Sequence, residues 1–143
     1  MPTIRDATVD DAPEIARLSA QLGYPAEAAV FAERLRRLLP LPTHAVLVCE
    51  HEGGGLDGFV GLEHRLMIEA GERVEIVGLV VDARARRGGV GRALIAAAEA
   101  WTRARGLDAL FLRSNVLRPE AHPFYESLGF LRTKTQHAYL KRV

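Results

Sequence analysis

"VGLVVDARARRGGVGRALI", residues 77–95, changes character twice. Its first part is apolar and β-branched, the composition of a strand, with Gly78 set inside it. A lone glycine there marks a bulge or a close approach of backbone. From Asp82 to Gly89 the chain turns rich in arginine and glycine. Beyond that turn Val90, Leu94, Ala97 and Trp101 recur at i, i+4, i+7 and i+11, which predicts a helix over 89–105 ended by Gly106. A strand that ends in such a turn and opens a helix gathers unpaired backbone N–H groups around one point. The helix dipole adds positive potential there, and Arg86, Arg87 and Arg92 add charge. The stretch reads as a cradle for a diphosphate, although a glycine-rich turn with solvated arginines would carry the same residues.

The segments around it alternate between strand and helix patterns. "TIRDAT" (3–8) reads as a first strand. Thr8 with Asp11 forms a capping-box pattern, and Asp10 serves equally well as the cap. Ile15, Leu18 and Leu22 recur with helical period, "LGYP" breaks the helix, and Phe31, Leu35, Leu38 and Leu39 mark a second one over 26–39, stopped by Pro40 and Pro42. "HAVLVCE" (44–50), 59–67 and 73–82 read as three strands separated by the turn clusters "HEGGGLDG" and "AGE". After the long helix come a strand over 109–115, a short helix over 119–129 with Phe124 and Leu128 as core anchors, and a final alternating strand over 130–142. The order is β-α-α-β-β-β-α-β-α-β, with no repeat or linker, so residues 1–143 are expected to form one domain.

Composition narrows the function classes. The chain has 143 residues, 48% hydrophobic and 26% charged, with a formal net charge of +1. No global charge recommends nucleic acid or an anionic membrane, so any anion site must be local. One cysteine, Cys49, allows no intrachain disulfide framework and suits a reducing, cytoplasmic setting. The N-terminal residues carry neither a signal core nor a transit pattern, and no apolar run approaches the roughly 20 residues that span a bilayer.

Which diphosphate the cradle suits can be narrowed by elimination. A Walker A loop requires Gly-Lys, which occurs nowhere in the chain. A dinucleotide fingerprint beginning at Gly89 would require glycine or alanine at position 94, which is Leu94. What does match is R-x-x-G-x-G, from Arg86 through Gly89 and Gly91. This segment resembles the acetyl-CoA-binding motif of the GNAT superfamily of N-acetyltransferases. "NVLRPEAHPFYESLGF" (115–130) resembles the family's C-terminal motif, and the element order fits its fold. The resemblance covers nearly the whole chain, most specifically residues 75–130.

The resemblance implies an α/β (α+β) GNAT fold. Its central sheet is mixed but mostly antiparallel, with about six strands, a splay between the fourth and fifth, and about four flanking helices. It implies acetyl-CoA as cofactor, its diphosphate on Arg86, Arg87, Gly88, Gly89, Val90, Gly91 and Arg92. The pantetheine would run along the backbone of Leu79, Val80 and Val81, with the carbonyl oxygen on a backbone N–H at Leu79. Asn115 is carried over as a further cofactor contact. Tyr125 is carried over as the acid that protonates the departing thiolate; a phenol near pKa 10 is protonated at neutral pH. Glu75 is the best candidate for the base or for an acceptor contact. A carboxylate near 4.3 cannot directly strip an ammonium near 10, so a water relay or a raised pKa is needed.

The acceptor is read as a primary amine of a small molecule or peptide, attacking directly in a ternary complex. Tyr24 and His137 are candidate acceptor contacts; His122 reads as structural or solvent-facing. Glu63, Glu69, Glu72 and Glu75 would suit a cationic amine if they face the pocket, and a solvated hairpin explains the same residues. His44, His51 and His64 have no metal-ligand spacing, so no metal is expected. Cys49 reads as a buried, inert thiol and Trp101 as core. The alternating final residues suggest a possible homodimer. A noncatalytic acyl-CoA sensor is the alternative reading.

Overall fold

Short turns at 51–55 and 68–70 let three apolar segments fold back on one another, and the glycine-rich first turn holds Gly53, Gly54 and Gly55 all at positive φ. The computed structural model describes residues 2–114 and 121–143. They fall into two compact units, Met1–Leu112 and Arg113–Val143.

The first unit holds strands β1 (Thr3–Asp6), β2 (His44–Glu50), β3 (Leu56–Met67), β4 (Gly71–Val81) and β5 (Leu110–Leu112). Its helices are α1 (Ala12–Gln21), α2 (Ala28–Leu38) and α3 (Val90–Ala104). The sheet runs β1-β2-β3-β4-β5, antiparallel as far as β4 and parallel between β4 and β5. Val48, Phe59 and Val80 stand opposite one another and so share a face. Ile15, Leu18, Phe31 and Leu35 of α1 and α2 pack against that face. The opposite face carries α3. A Cβ on Gly58 would stand 2.6 Å from the Val80 carbonyl oxygen and 3.1 Å from Leu94 Cδ1, so glycine allows the helix to lie close to β3.

The α3 stripe that is buried comprises Val90, Leu94, Ile95, Ala98 and Thr102. Ala97 and Trp101, expected on it, are half-buried. The Trp101 ring instead lies 4.3 Å beneath the Arg105 guanidinium. Arg105 also donates to His64 Nδ1 at 2.8 Å and to the Pro42 carbonyl at 2.7 Å. Because His64 Nδ1 accepts, its Nε2–H donates to Glu72 at 2.8 Å.

Two irregularities position the site. In β3–β4, Gly61 stands opposite Gly78 and Leu62 opposite Ile76, so Val77 is the extra residue of a bulge, one position before the glycine that marked it. A Cβ on Gly78 would meet nothing closer than Phe59 Cε1 at 4.0 Å, so packing within the chain does not demand a glycine there. The second irregularity is the brevity of β5. It pairs with β4 only from Val74↔Leu110 to Ile76↔Leu112. Residues 77–81 of β4 run on with no β5 partner among the described residues. The expected splay would begin here, where the described pairing ends at Ile76↔Leu112.

In the second unit α4 (His122–Ser127) ends at Gly129, whose φ is +91. Tyr125 packs beside Phe124 and Phe130, with ring centroids 5.5 and 6.1 Å away. Phe124, expected as a core anchor, is exposed. Residues 131–143 have no regular secondary structure. The sheet therefore has five strands among the described residues rather than about six. Alternation in "TKTQHAYLK" supplies two faces, but a strand also needs a partner's ladder.

Asp82, just past β4, is 1% exposed. Its carboxylate accepts from Arg17 Nη1 at 2.7 Å, Arg84 Nη2 at 2.9 Å and the Arg84 backbone N–H at 3.0 Å. Gln21 Oε1 accepts the next free amide, Ala83 N–H, at 3.0 Å. Bonds from Arg84, with those from Arg17 and Gln21, hold the Asp82 carboxyl far below its ordinary value of 3.8. A depressed carboxyl stabilises the fold above the unfolded value and loses that effect as pH falls through the folded one. Asp82→Ala is expected to lower stability at pH 7 by about 3 kcal/mol. In urea melts the gap from wild type should narrow progressively below pH 3.8; a gap independent of pH would disprove the ionic contribution.

Candidate cofactor and acceptor site

The route from β4 to α3 is built by backbone conformation. A single 3-10 turn, Ala83–Ala85, follows Asp82, and Arg86 is extended. Arg87 then adopts φ +73 and Gly89 φ +82. Gly89 caps α3, whose first bond runs from Ala93 N–H to the Gly89 carbonyl at 2.9 Å. Left-handed residues on either side of Gly88 curve the chain sharply into α3, and Gly88 N–H closes the turn on the Ala85 carbonyl at 3.3 Å. The first N–H groups of α3 have no intrahelical acceptor. Arg84, Arg86, Arg87, Gly88, Gly89 and Arg92 are exposed, while Val90 and Gly91 are buried and anchor the helix start. The residues fit a diphosphate: the first amides of a helix, flanking exposed guanidinium groups, and a Gly89 whose Cβ position is open to 4 Å. Arg87 is the surprise, because a side chain at positive φ costs about 1 kcal/mol where the sequence leads one to expect a glycine.

Leu79, Val80 and Val81 pair with β3 and have no β5 partner among the described residues. Val80 points into the α1/α2 core and stands opposite Phe59 of β3, with its carbonyl oxygen beside Gly58. Glu75 lies at the base of the split, opposite Glu63 on one side and Phe111 on the other. It is 5% exposed, and both its oxygens stand 3.3 Å from Arg65 Nη1. Arg73 approaches it at 3.9 Å. The four glutamates therefore do not form one acidic patch. Glu63 and Glu75 share a face and share Arg65, whereas Glu72 binds His64. Tyr24, between α1 and α2, is 68% exposed. Tyr125 and His137 belong to the second unit, where His137 stacks 6.4 Å from Tyr139. Asn115 lies outside the described residues.

Sequence reasoning missed Arg65 and Arg73. Their signal was present: charges at 63, 65, 73 and 75 alternate on two strands joined by a short turn, which puts all four on one face. It also missed Arg17 and Gln21, whose partners lie more than sixty positions away. Cys49 is fully buried in β2, and burial pushes its thiol pKa up, against any role as a nucleophile.

Comparison with known proteins agrees with this geometry. The pattern of the Acetyltransferase (GNAT) family matches residues 11–130. The chain is 34% identical over 137 residues to an aminoglycoside N(6')-acetyltransferase type 1 of Stenotrophomonas maltophilia, covering 93% of this chain and 88% of that one. Among solved structures, a tetramutant of the BH1408 protein of Bacillus halodurans superposes with a TM-score of 0.81 at 27% identity, covering 98% of this chain and 99% of the other. AAC(6')-Iy in complex with a CoA-S-monomethyl-acetylneamine bisubstrate analogue shares the fold, with a TM-score of 0.87 at 20% identity, covering 100% and 99%. A chain whose β4 leads through an arginine- and glycine-rich turn into α3, whose described β4–β5 pairing stops at residue 76, and whose sequence matches from 11 to 130 belongs to the GNAT family and is an acetyl-CoA-dependent acyltransferase.

Proposed function

We propose that the protein transfers the acetyl group of acetyl-CoA directly to a primary amine of a small molecule or peptide, in a ternary complex formed by one domain spanning both units. The parting of β4 from β5 beside the cradle carries this reading. It leaves a slot along 77–81 for an extended thioester arm, with the diphosphate on 86–92. The named relatives support a small-molecule amine as the acceptor, and the single buried cysteine suits a reducing cytoplasm.

Acetyl-CoA supplies an activated acetyl carbonyl and a thiolate leaving group. Leu79 N–H donates to the carbonyl oxygen as it gains charge, which lowers the barrier where donors are already oriented. Glu75 accepts the amine's proton through a water, because a carboxylate is too weak a base to take it directly. Tyr125 donates its phenolic proton to the sulfur as the C–S bond breaks and the C–N bond forms. Tyr24 and His137 contact the acceptor, and Asn115 the cofactor. Exposed Tyr139 and Leu140 in the last residues suit association of two copies.

Three measurements test this reading. Gly89→Ala puts a side chain at φ +82 where it meets no neighbour, so its effect is on cradle shape alone. It is expected to weaken acetyl-CoA binding at least tenfold, about 1.4 kcal/mol; calorimetry showing unchanged affinity would move the diphosphate elsewhere. Tyr125→Phe keeps the ring between Phe124 and Phe130 and removes the proton. Its single-turnover rate with saturating amine should fall by roughly 10- to 10⁴-fold, with acetyl-CoA affinity unchanged; a wild-type rate would exclude it as the acid. Light scattering across a concentration series should give twice the chain mass, and a constant monomer mass removes the dimer.

A further inference from the structure

Below the split, the sheet face shared with α1 and α2 turns from apolar to charged. His44, Glu63, Glu75 and Phe111 stand in one row across four strands, and Arg65 and Arg73 form the next. The two arginines are used unequally. Arg65 donates to both Glu75 oxygens at 3.3 Å and lies 3.7 Å from Glu63, so one guanidinium faces both carboxylates. Among the described residues Arg73 makes no hydrogen bond to a carboxylate. Its guanidinium lies 3.7 Å over the Phe111 ring and 3.9 Å from Glu75, and its Nε is buried without a partner. A buried donor left unpaired costs about 1–3 kcal/mol. Stacking on Phe111 fixes the plane of the fork, and a fork with a fixed plane is matched best by a carboxylate bonding along its edge.

We propose that Arg73 is an acceptor-recognition residue that binds a carboxylate on the amine substrate; this rests on the amine-acetylation reading above. The Arg73 guanidinium reaches back to the level of residue 75, over Phe111, and the carbonyl is held at Leu79 in the reading above. With one residue taken up by the bulge, the two levels are roughly 10 Å apart along the strand. An α-amino group beside its own carboxylate is too close to span that distance. A side-chain amine on a lysine-like acceptor does span it. The four charges at 63, 65, 73 and 75 sum to zero, so the face is not built to attract a polycation, and the acceptor class is an amino acid or short peptide with a distal amine and a free carboxylate.

The test compares Nα-acetyl-L-lysine with its carboxamide, which carry the same ε-amine and differ only in the anion. Thiol release from acetyl-CoA should show kcat/KM at least tenfold higher for the carboxylate. Arg73→Gln should bring that ratio to about one, and Arg73→Lys, which keeps the charge without the fork, should leave part of it. An equal or inverted ratio in the wild type, or a ratio that survives Arg73→Gln, overturns the proposal. Calorimetric titration of the CoA-loaded protein with both compounds separates the subsite from the chemistry. If neither compound is acetylated, the transfer reading fails for this acceptor class, while a tenfold lower Kd for the carboxylate still supports the subsite. Equal Kd values, or no binding by either, overturn it. Should Arg73→Gln fail to fold, the ratio in Arg73→Lys decides: undiminished, it also overturns the assignment.

Discussion

The buried carboxylate of Asp82 is the constraint on which the site depends. It stands where the sheet ends and the cradle begins, and its partners come from opposite directions in the chain. Arg17 reaches it from α1 and Arg84 from the loop itself. Arg17 also donates to the Leu56 carbonyl at 3.0 Å, and Glu14 accepts the Leu56 N–H at 2.9 Å. One ionic knot thus registers α1, the start of β3 and the end of β4. A buried carboxylate costs solvation energy that only a full set of donors offsets, so the arrangement works as a whole. The cradle has few apolar contacts of its own, since Arg84, Arg86, Arg87, Gly88 and Gly89 are exposed. Its shape therefore rests on Asp82 below and on the buried Val90 and Gly91 above.

Bulge and split act together on β4. The extra residue at 77 reorients the strand just after its last β5 pair at 76. Beyond that pair β4 has no β5 partner among the described residues, and it is still held by β3 on its other edge as far as Val81. The same short pairing puts Phe111 beside Glu75 and under Arg73. The short pairing thus also delivers the ring that fixes the plane of the Arg73 guanidinium.

Legibility in the sequence followed the range of the forces. β2 matched its expected span of 44–50 because an apolar, β-branched run between turns is a local signal. The R-x-x-G-x-G loop was legible for the same reason, since its function lies in backbone shape that adjacent glycines announce. The last strand was not found, because alternation in 130–142 says nothing about whether a partner edge is present. The pairing of Glu75 with Arg65 depends on strand register, and the meeting of Asp82 with Arg17 on packing across 65 positions. Trp101 shows the limit of periodicity: it sits at the right spacing for the core, yet Arg105 draws its ring to the boundary.

The sheet's connectivity carries a kinetic consequence. β2, β3 and β4 form one continuous meander joined by turns of a few residues, so these pairings close small loops and have low contact order. β1 must be brought across two helices, and β5 reaches its parallel place only after α3 has crossed the sheet. These closures carry the larger entropy loss. The meander is thus the natural folding nucleus, and the split between β4 and β5 belongs to the part of the sheet that is completed last. Substitutions at Leu110, Phe111 or Leu112 then act mainly on the unfolding rate, whereas those at Val60 or Leu62 slow folding itself. The β4–β5 edge can accordingly diverge among relatives without disturbing the step that commits the chain to its fold.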